Sequence, residues 1–260
     1  MHFHFNFLQF LFVCFCQFVC KWNNTKKLNN NGYFLIVKMT VIDLQNLEIE
    51  NLKLGKSGRA VKLMYNKEPV QICTSTLYCP FGVKFVAKEW SNFTEYYIDC
   101  FLNNSKSDIS VNFKKSIENF DELIQKLVKE NITLFNSKTE TANDQFSYSP
   151  ILRENGNYPK LMRLQLTRDK NGNYESFLFD ENKQKILLKE SNIENILCKG
   201  KVCKTIIECV KVWYYNGKVG SMWKIVQLKF SEKSISEEPE EQDQGLEQKG
   251  AIYNQLMIID

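Results

Sequence analysis

Past its fourth residue the sequence holds no histidine, since the chain's two are His2 and His4. That absence removes Ser-His and Cys-His nucleophiles, and every histidine-containing metal site, from the body of the chain. Nine cysteines are present, yet no C-x-x-C pair occurs, and the Cys198, Cys203, Cys209 spacing fits no common zinc pattern. Unpaired thiols in a reducing, intracellular compartment are the expectation. A glycine-rich phosphate loop is missing as well: Gly55-Lys56-Ser57-Gly58 lacks the first glycine and the strand–loop–helix setting of a Walker loop. Acidic residues of the body are scattered, whereas metal-assisted phosphate chemistry needs them clustered. The chain is therefore expected to be non-enzymatic and to need no metal or cofactor.

What is present is a polarity of charge. Residues 1–38 carry four Lys and no acid, residues 39–230 are net +6, and residues 231–260 are net −6. A basic body followed by an acidic tail is the main compositional clue. The leader MHFHFNFLQFLFVCFCQFVC has seven Phe but no basic start and no small-residue cleavage site. Asn6, Gln9 and Gln17 interrupt an apolar run too short to span a bilayer comfortably. An Asn/Lys-rich stretch follows it. The break at Met39 predicts that the working protein starts there and that 1–38 is an over-extended reading frame; a membrane anchor is the rival reading. The Glu-rich tail, with Pro239 and Gly245, is expected to be disordered.

Between these ends the pattern is mainly β. Strands are expected at Val61–Tyr65, Val70–Thr74, through LYCPFGVKFV, at EYYIDCFL, at Lys160–Thr167, YESFLFD and KILLKE, with turn residues between them. One amphipathic helix is expected over about 116–132. Asn119 is read as its cap, with Glu122 three residues on and Phe120, Leu123, Ile124, Leu127 and Val128 as the apolar stripe. NIENIL reads as a single helical turn. The stretch IIECVKVWYYNGKVGSMWKIVQLKF (206–230) reads as a hairpin about Asn216-Gly217, with a loop of three to five residues. Strict alternation puts Ile207, Cys209, Lys211, Trp213 and Tyr215 on one face of its first strand, and Trp223 with Lys229 on one face of its second.

Cations interleaved with aromatic rings suit a single-stranded nucleic acid, which offers phosphates and flat bases. An ordinary hairpin with its aromatics in the core is the plainer alternative. LYCPFGV, Tyr148-Ser149-Pro150, NYPKLMRLQL, FLFDENKQKILL and VWYYNGKVGSMWKIVQLKF, taken in order, resemble the single-stranded-DNA-binding proteins of nucleocytoplasmic large DNA viruses. Those in turn are related to the podovirus-type phage replication protein. The resemblance covers roughly Lys62 to Phe230, and rests most on Pro80-Phe81-Gly82, on Tyr158, Pro159, Leu161 and Arg163, and on Trp213, Gly220, Trp223 and Gln227.

It implies an OB-like barrel with extra strands and one helix over 39–230. It also implies binding of single-stranded DNA in viral replication, recombination or repair, in a host cytoplasmic virus factory or the nucleus. The acidic tail would compete with DNA and recruit a polymerase or helicase, although this tail ends Ile258-Ile259-Asp260 rather than in an aromatic residue. Trp90, Tyr96, Tyr158, Trp213, Tyr215 and Trp223 are then the candidate stacking rings. Lys160, Arg163, Lys211, Lys218, Lys224 and Lys229 are the candidate phosphate contacts. A homodimer stays open, and a virion structural or scaffolding protein is the alternative function.

Overall fold

The computed structural model describes residues 24–28, 34–38, 41–87, 94–102, 108–135 and 146–231. The expectations for residues 1–23, for Trp90 and for the acidic tail beyond Ser231 lie outside the described residues. Strands β1 (Asn24–Leu28) and β2 (Phe34–Lys38) pair antiparallel in a sheet of their own. A second, larger sheet begins with β3 (Val41–Ile42), β4 (Leu52–Ser57), β5 (Ala60–Tyr65), β6 (Glu68–Pro69), β7 (Gln71–Cys73) and β8 (Leu77–Cys79). It continues through β9 (Val83–Val86), β10 (Glu95–Leu102), β11 (Ser147–Ser149), β12 (Leu152–Asn155) and β13 (Tyr158–Leu166). Last come β14 (Phe177–Phe179), β15 (Lys185–Ile186), β16 (Lys201–Tyr215) and β17 (Lys218–Phe230).

Five strands close on themselves. β8 pairs with β10, β10 with β13, β13 with β17, β17 with β16, and β16 returns to β8. The order around the ring is first, second, third, fifth, fourth, and only the third–fifth contact, β13 with β17, is parallel. This is the OB-like barrel that the resemblance implies, with further strands laid outside it. Closure hides the interior faces of all five strands. Ile98, Cys100, Met162, Leu164, Cys203, Ile207, Ile225 and Leu228 fill it as fully buried residues. The thiols of Cys79, Cys100 and Cys203 meet there, with Cys79 Sγ 3.1 Å from Cys100 Sγ and 3.8 Å from Cys203 Sγ. None of the six described cysteines is joined in a disulfide. Among the described residues no helix is long and apolar enough to cross a membrane.

The long helix differs from the expected one. Helix α1 runs Asp108–Glu130, so it starts about two turns earlier and Asn119 sits inside it rather than capping it. The apolar stripe continues upstream of Asn119, through Phe113 and Ile117 to Phe120, Ile124 and Val128, at the three- and four-residue steps of one helical face. Packing of that stripe overrides the weak helix preference of Asn112, Ser116 and Asn119. Phe120, fully buried, meets Trp223 of β17 edge-on with ring centroids 6.4 Å apart, which ties the helix to the barrel core. Burial of a ring of that size contributes on the order of 2–3 kcal/mol. The helical turn at NIENIL is present as α2 (Ile193–Ile196).

The hairpin also departs from simple alternation. Its turn is Asn216-Gly217 alone, both at positive φ (47° and 69°), so it is a two-residue turn and not the longer loop expected. Two β-bulges interrupt the pairing. Cys209 faces Trp223 while Lys211 faces Met222, which leaves Val210 as an extra residue on β16; Ile206 faces Gln227 while Ile207 faces Ile225, which leaves Val226 as an extra residue on β17. Lys62 Nζ donates to the carbonyl of Val210 at 2.6 Å, satisfying a group that the ladder leaves out. An extra residue moves every later side chain to the opposite face. Ile207 and Cys209 therefore point into the core, whereas Lys211, Trp213 and Tyr215 lie on the other face. In the same way Trp223 is inside while Lys229, beyond Val226, is outside between buried Leu228 and Phe230.

Candidate nucleic-acid interface

Strict alternation does hold on β10 and β13, and it builds a polar and aromatic outer face. Tyr96, Ile98 and Cys100 are inward, leaving Tyr97, Asp99 and Phe101 outward; Met162, Leu164 and Leu166 are inward, leaving Leu161, Arg163 and Gln165 outward. Register places Tyr97 opposite Gln165, Asp99 opposite Arg163 and Phe101 opposite Leu161. On the other side of β10, strand β9 sets Lys84 opposite Tyr97.

Asp99 organises this face. Arg163 donates through Nε to Oδ1 at 2.8 Å and through Nη2 to Oδ2 at 3.1 Å, and Lys84 Nζ lies 3.3 Å from Oδ2. Burial alone would push the Asp99 carboxyl up, but the bonds from Arg163 and Lys84 outweigh it and hold the group below its ordinary value. The bond to Asp99 in turn raises the Arg163 guanidinium. Both cations then lie on rings: the Arg163 guanidinium is 4.2 Å from the Tyr97 centroid and Lys84 Nζ is 4.3 Å from that of Phe81. Phe81 meets Phe101 edge-on at 6.0 Å. The arrangement is directional, because the carboxylate is buried while the Arg163 and Lys84 side chains keep 41% and 39% of their surface in solvent. A guanidinium held over a ring, with its fork fixed by a carboxylate, offers its outer side as a charged platform on which a flat group can stack.

The connection from β16 to β17 carries a second exposed set. Tyr215 is 71% exposed at the end of β16 and stands opposite Lys218, also exposed. Behind them Trp213 lies on its cross-strand partner Gly220. A Cβ at Gly220 would sit 2.5 Å from Trp213 Cζ2, so only glycine lets the indole lie that close to the strand.

The residues singled out in the sequence are dispersed among these settings. Arg163 is central to the outer face, and Tyr215 and Lys218 share the hairpin tip. Tyr158 is exposed at the start of β13. Lys211 and Trp213 are half-buried along β16, and Lys229 is half-buried opposite Lys204. Lys160 is held by Glu154 at 3.0 Å and Glu118 of α1 at 3.2 Å, and those two bonds raise its amine. Lys224 is bracketed by Glu175 and Glu208, each at 3.3 Å. Tyr96 is buried beside Tyr174 and Phe85, with the Arg168 guanidinium 5.7 Å from its ring. Trp223 requires correction as a stacking ring: it is 3% exposed, packs on Phe120, and donates its Nε1 proton to Ser221 Oγ at 2.8 Å, so it offers no face to a base.

Phe81, Lys84, Tyr97 and Asp99 were not among the residues singled out as contacts. A signal for two of them, Tyr97 and Asp99, was present: Asp99 is the one charge within the otherwise apolar Tyr96–Leu102, flanked two residues away on each side by Tyr97 and Phe101.

No protein-family model matches the chain, and no curated protein matches it. Among solved structures the chain is similar to the single-stranded DNA-binding protein of bacteriophage Enc34 in complex with ssDNA, at 13% identity and a TM-score of 0.40, over 71% of this chain and 97% of that one. It is also similar to the single-stranded DNA-binding protein encoded by bacteriophage T7, at 14% identity and a TM-score of 0.41, over 66% of this chain and 98% of that one.

Proposed function

We propose that this protein binds single-stranded DNA with little regard to sequence, through the outer face of β10 and β13 and the β16–β17 tip. The observation that carries the reading is the pair of cations seated on rings, Arg163 on Tyr97 and Lys84 on Phe81, around one buried carboxylate. In OB barrels the face of the second and third strands, with the first–second and fourth–fifth connections, is where oligonucleotides lie. β10 and β13 are the second and third strands of this ring, Phe81 and Lys84 belong to the first–second connection, and Tyr215 and Lys218 flank the fourth–fifth turn. Every base has a flat face and every nucleotide a phosphate, so stacking platforms with cations favour no sequence. A duplex hides its base faces and would engage only the charges.

Such a protein acts by covering strands rather than by catalysis, which suits viral DNA replication, recombination or repair. In this reading the acidic residues 231–260 are displaced from the basic face by DNA and become available to a polymerase or helicase. The test is a gel shift of the full chain with oligo-dT and with duplex, at 50 mM and 300 mM KCl. Preference for oligo-dT, weakened at the higher salt, is expected. Equal affinity for duplex, or salt-indifferent binding, would overturn the reading.

A further inference from the structure

Arg153 on β12 stands on the same outer face and takes no part in the Asp99 cluster's hydrogen bonds. Its neighbour Leu152 is buried opposite Met162, which sends Arg153 outward opposite Leu161, one outward position along β13 from Arg163. Across β9, β10, β13 and β12 the face thus presents Lys84, Asp99, Arg163 and Arg153 in sequence. Three cations surround one carboxylate, and both oxygens of that carboxylate are already taken by Arg163 and Lys84. Arg153 Nε is buried and has no hydrogen-bond acceptor.

We infer that Arg153 and Arg163 form a seat for a phosphodiester of the bound strand, at the β12 edge of the stacking face. The inference rests on the single-strand reading above and adds to it a defined phosphate position. A guanidinium has five donors and no acceptor, so a half-buried one with an unmet N–H beside a like charge calls for an anion with several oxygens. Burial, and then the Arg163 charge, lower the Arg153 pKa, and the attraction of Asp99, whose oxygens are bonded to Arg163 and Lys84, does not offset them. A phosphodiester brings one charge and two free oxygens, enough for both guanidinium groups. The adjoining base then stacks on the Arg163 guanidinium, which the Tyr97 ring supports from beneath. Asp99 keeps Arg163 turned toward this seat and is not displaced by it.

The test measures binding of the full chain to labelled oligo-dT by anisotropy between 50 mM and 500 mM KCl. Arg153→Gln should reduce the log–log salt slope by about 0.7, so that binding is about fivefold weaker at 50 mM and level with wild type at 500 mM. Arg153→Lys should keep the slope. An oligo-dT with alternating neutral methylphosphonates should lose affinity for wild type by a larger factor than for Arg153→Gln. Should the glutamine variant not fold, Arg153→Met gives the same measurement with an apolar stem. An unchanged slope with wild-type binding intact overturns the seat alone, while no binding by wild type at any salt overturns the single-strand reading with it. A slope change that vanishes when residues 232–260 are deleted overturns the seat in favour of the tail's carboxylates.

Discussion

Two aspartates lie buried against this barrel, Asp99 on the outer face of β10 and Asp121 on the core side of α1, and they keep their protons differently. Asp99 meets a guanidinium and an ammonium, which together outweigh its burial and hold it ionised. Asp121 accepts the Tyr148 hydroxyl proton at 2.6 Å and the Ile151 N–H at 2.8 Å. Its burial outweighs those neutral donors and pushes its carboxyl up to about 6, and the Tyr148 hydroxyl, buried beside it, is raised as well. Both side chains are almost closed off from solvent, and the outcomes are opposite because Asp99 meets cations whereas the more deeply buried Asp121 meets neutral donors. At Asp99 the partners reach solvent, and the site is a surface with charge to offer. At Asp121 the partners are enclosed, and the contact only fastens helix to barrel.

The largest expected effect breaks the Asp121 side of this contrast. Its folded pKa is raised above the unfolded value of 3.8, so its contribution to stability is full below that value and is lost as pH rises through about 6. The loss is on the order of 3 kcal/mol. Asn in its place can accept from Ile151 and donate to Tyr148 without a charge. Urea unfolding should find Asp121→Asn more stable than wild type at pH 7.5 and level with it near pH 4; a constant difference across that range would remove the argument.

Next comes the ring beneath Arg163. Tyr97→Ala should weaken oligo-dT binding by about 1–3 kcal/mol at any salt, with its slope kept, because a stacking contact releases no counterion. A lowered slope instead would recast Tyr97 as a support for the cations only.

Asp99→Asn should cost less in stability than a fully buried pair would, about 1–2 kcal/mol at pH 7, because Arg163 and Lys84 can rehydrate. Its sign is opposite to that at Asp121. Asp99 has a depressed folded pKa, so it stabilises above pH 3.8 and that contribution is lost as pH falls through the folded value. The mutant and wild type should converge in acid, and divergence there would contradict the assignment. The smallest effect is at the hairpin tip: Lys218→Ala should flatten the salt slope by about 0.7 and leave the melting temperature unchanged. A fall in melting temperature without a slope change would make Lys218 a structural residue.

The barrel was legible in the sequence wherever alternation is unbroken, as at EYYIDCFL and NYPKLMRLQL, and in the turn residues that separate the strands. The hairpin was legible as a hairpin but not in its faces. Val210 and Val226 look like any strand residues, and nothing in the text marks them as extra, so Trp223 read as a surface ring when it is a core one. Asn119 misled for a related reason: a good capping residue is also tolerated inside a helix whose apolar stripe is long enough to hold it. The candidate site was legible through Tyr215 and Lys218 at the hairpin tip, and on the β10–β13 face only through Arg163. Lys84, Asp99 and Arg163 act together because three strands, β9, β10 and β13, bring them together, and sequence separation hides such pairings until the register is known.

The way the ring closes has a consequence for how the chain is made. β13 joins β17 only where Leu164 faces Trp223 and Gln165 faces Lys224, whereas β16 and β17 pair along nearly their whole length. During synthesis from the N-terminus, β8, β10 and β13 emerge first and wait with an open edge, and α1 waits without the indole that covers Phe120. The last hairpin delivers both. A nascent chain halted before Trp223 would thus display an unpaired strand edge beside bare aromatic surface, the combination most prone to associate with its neighbours.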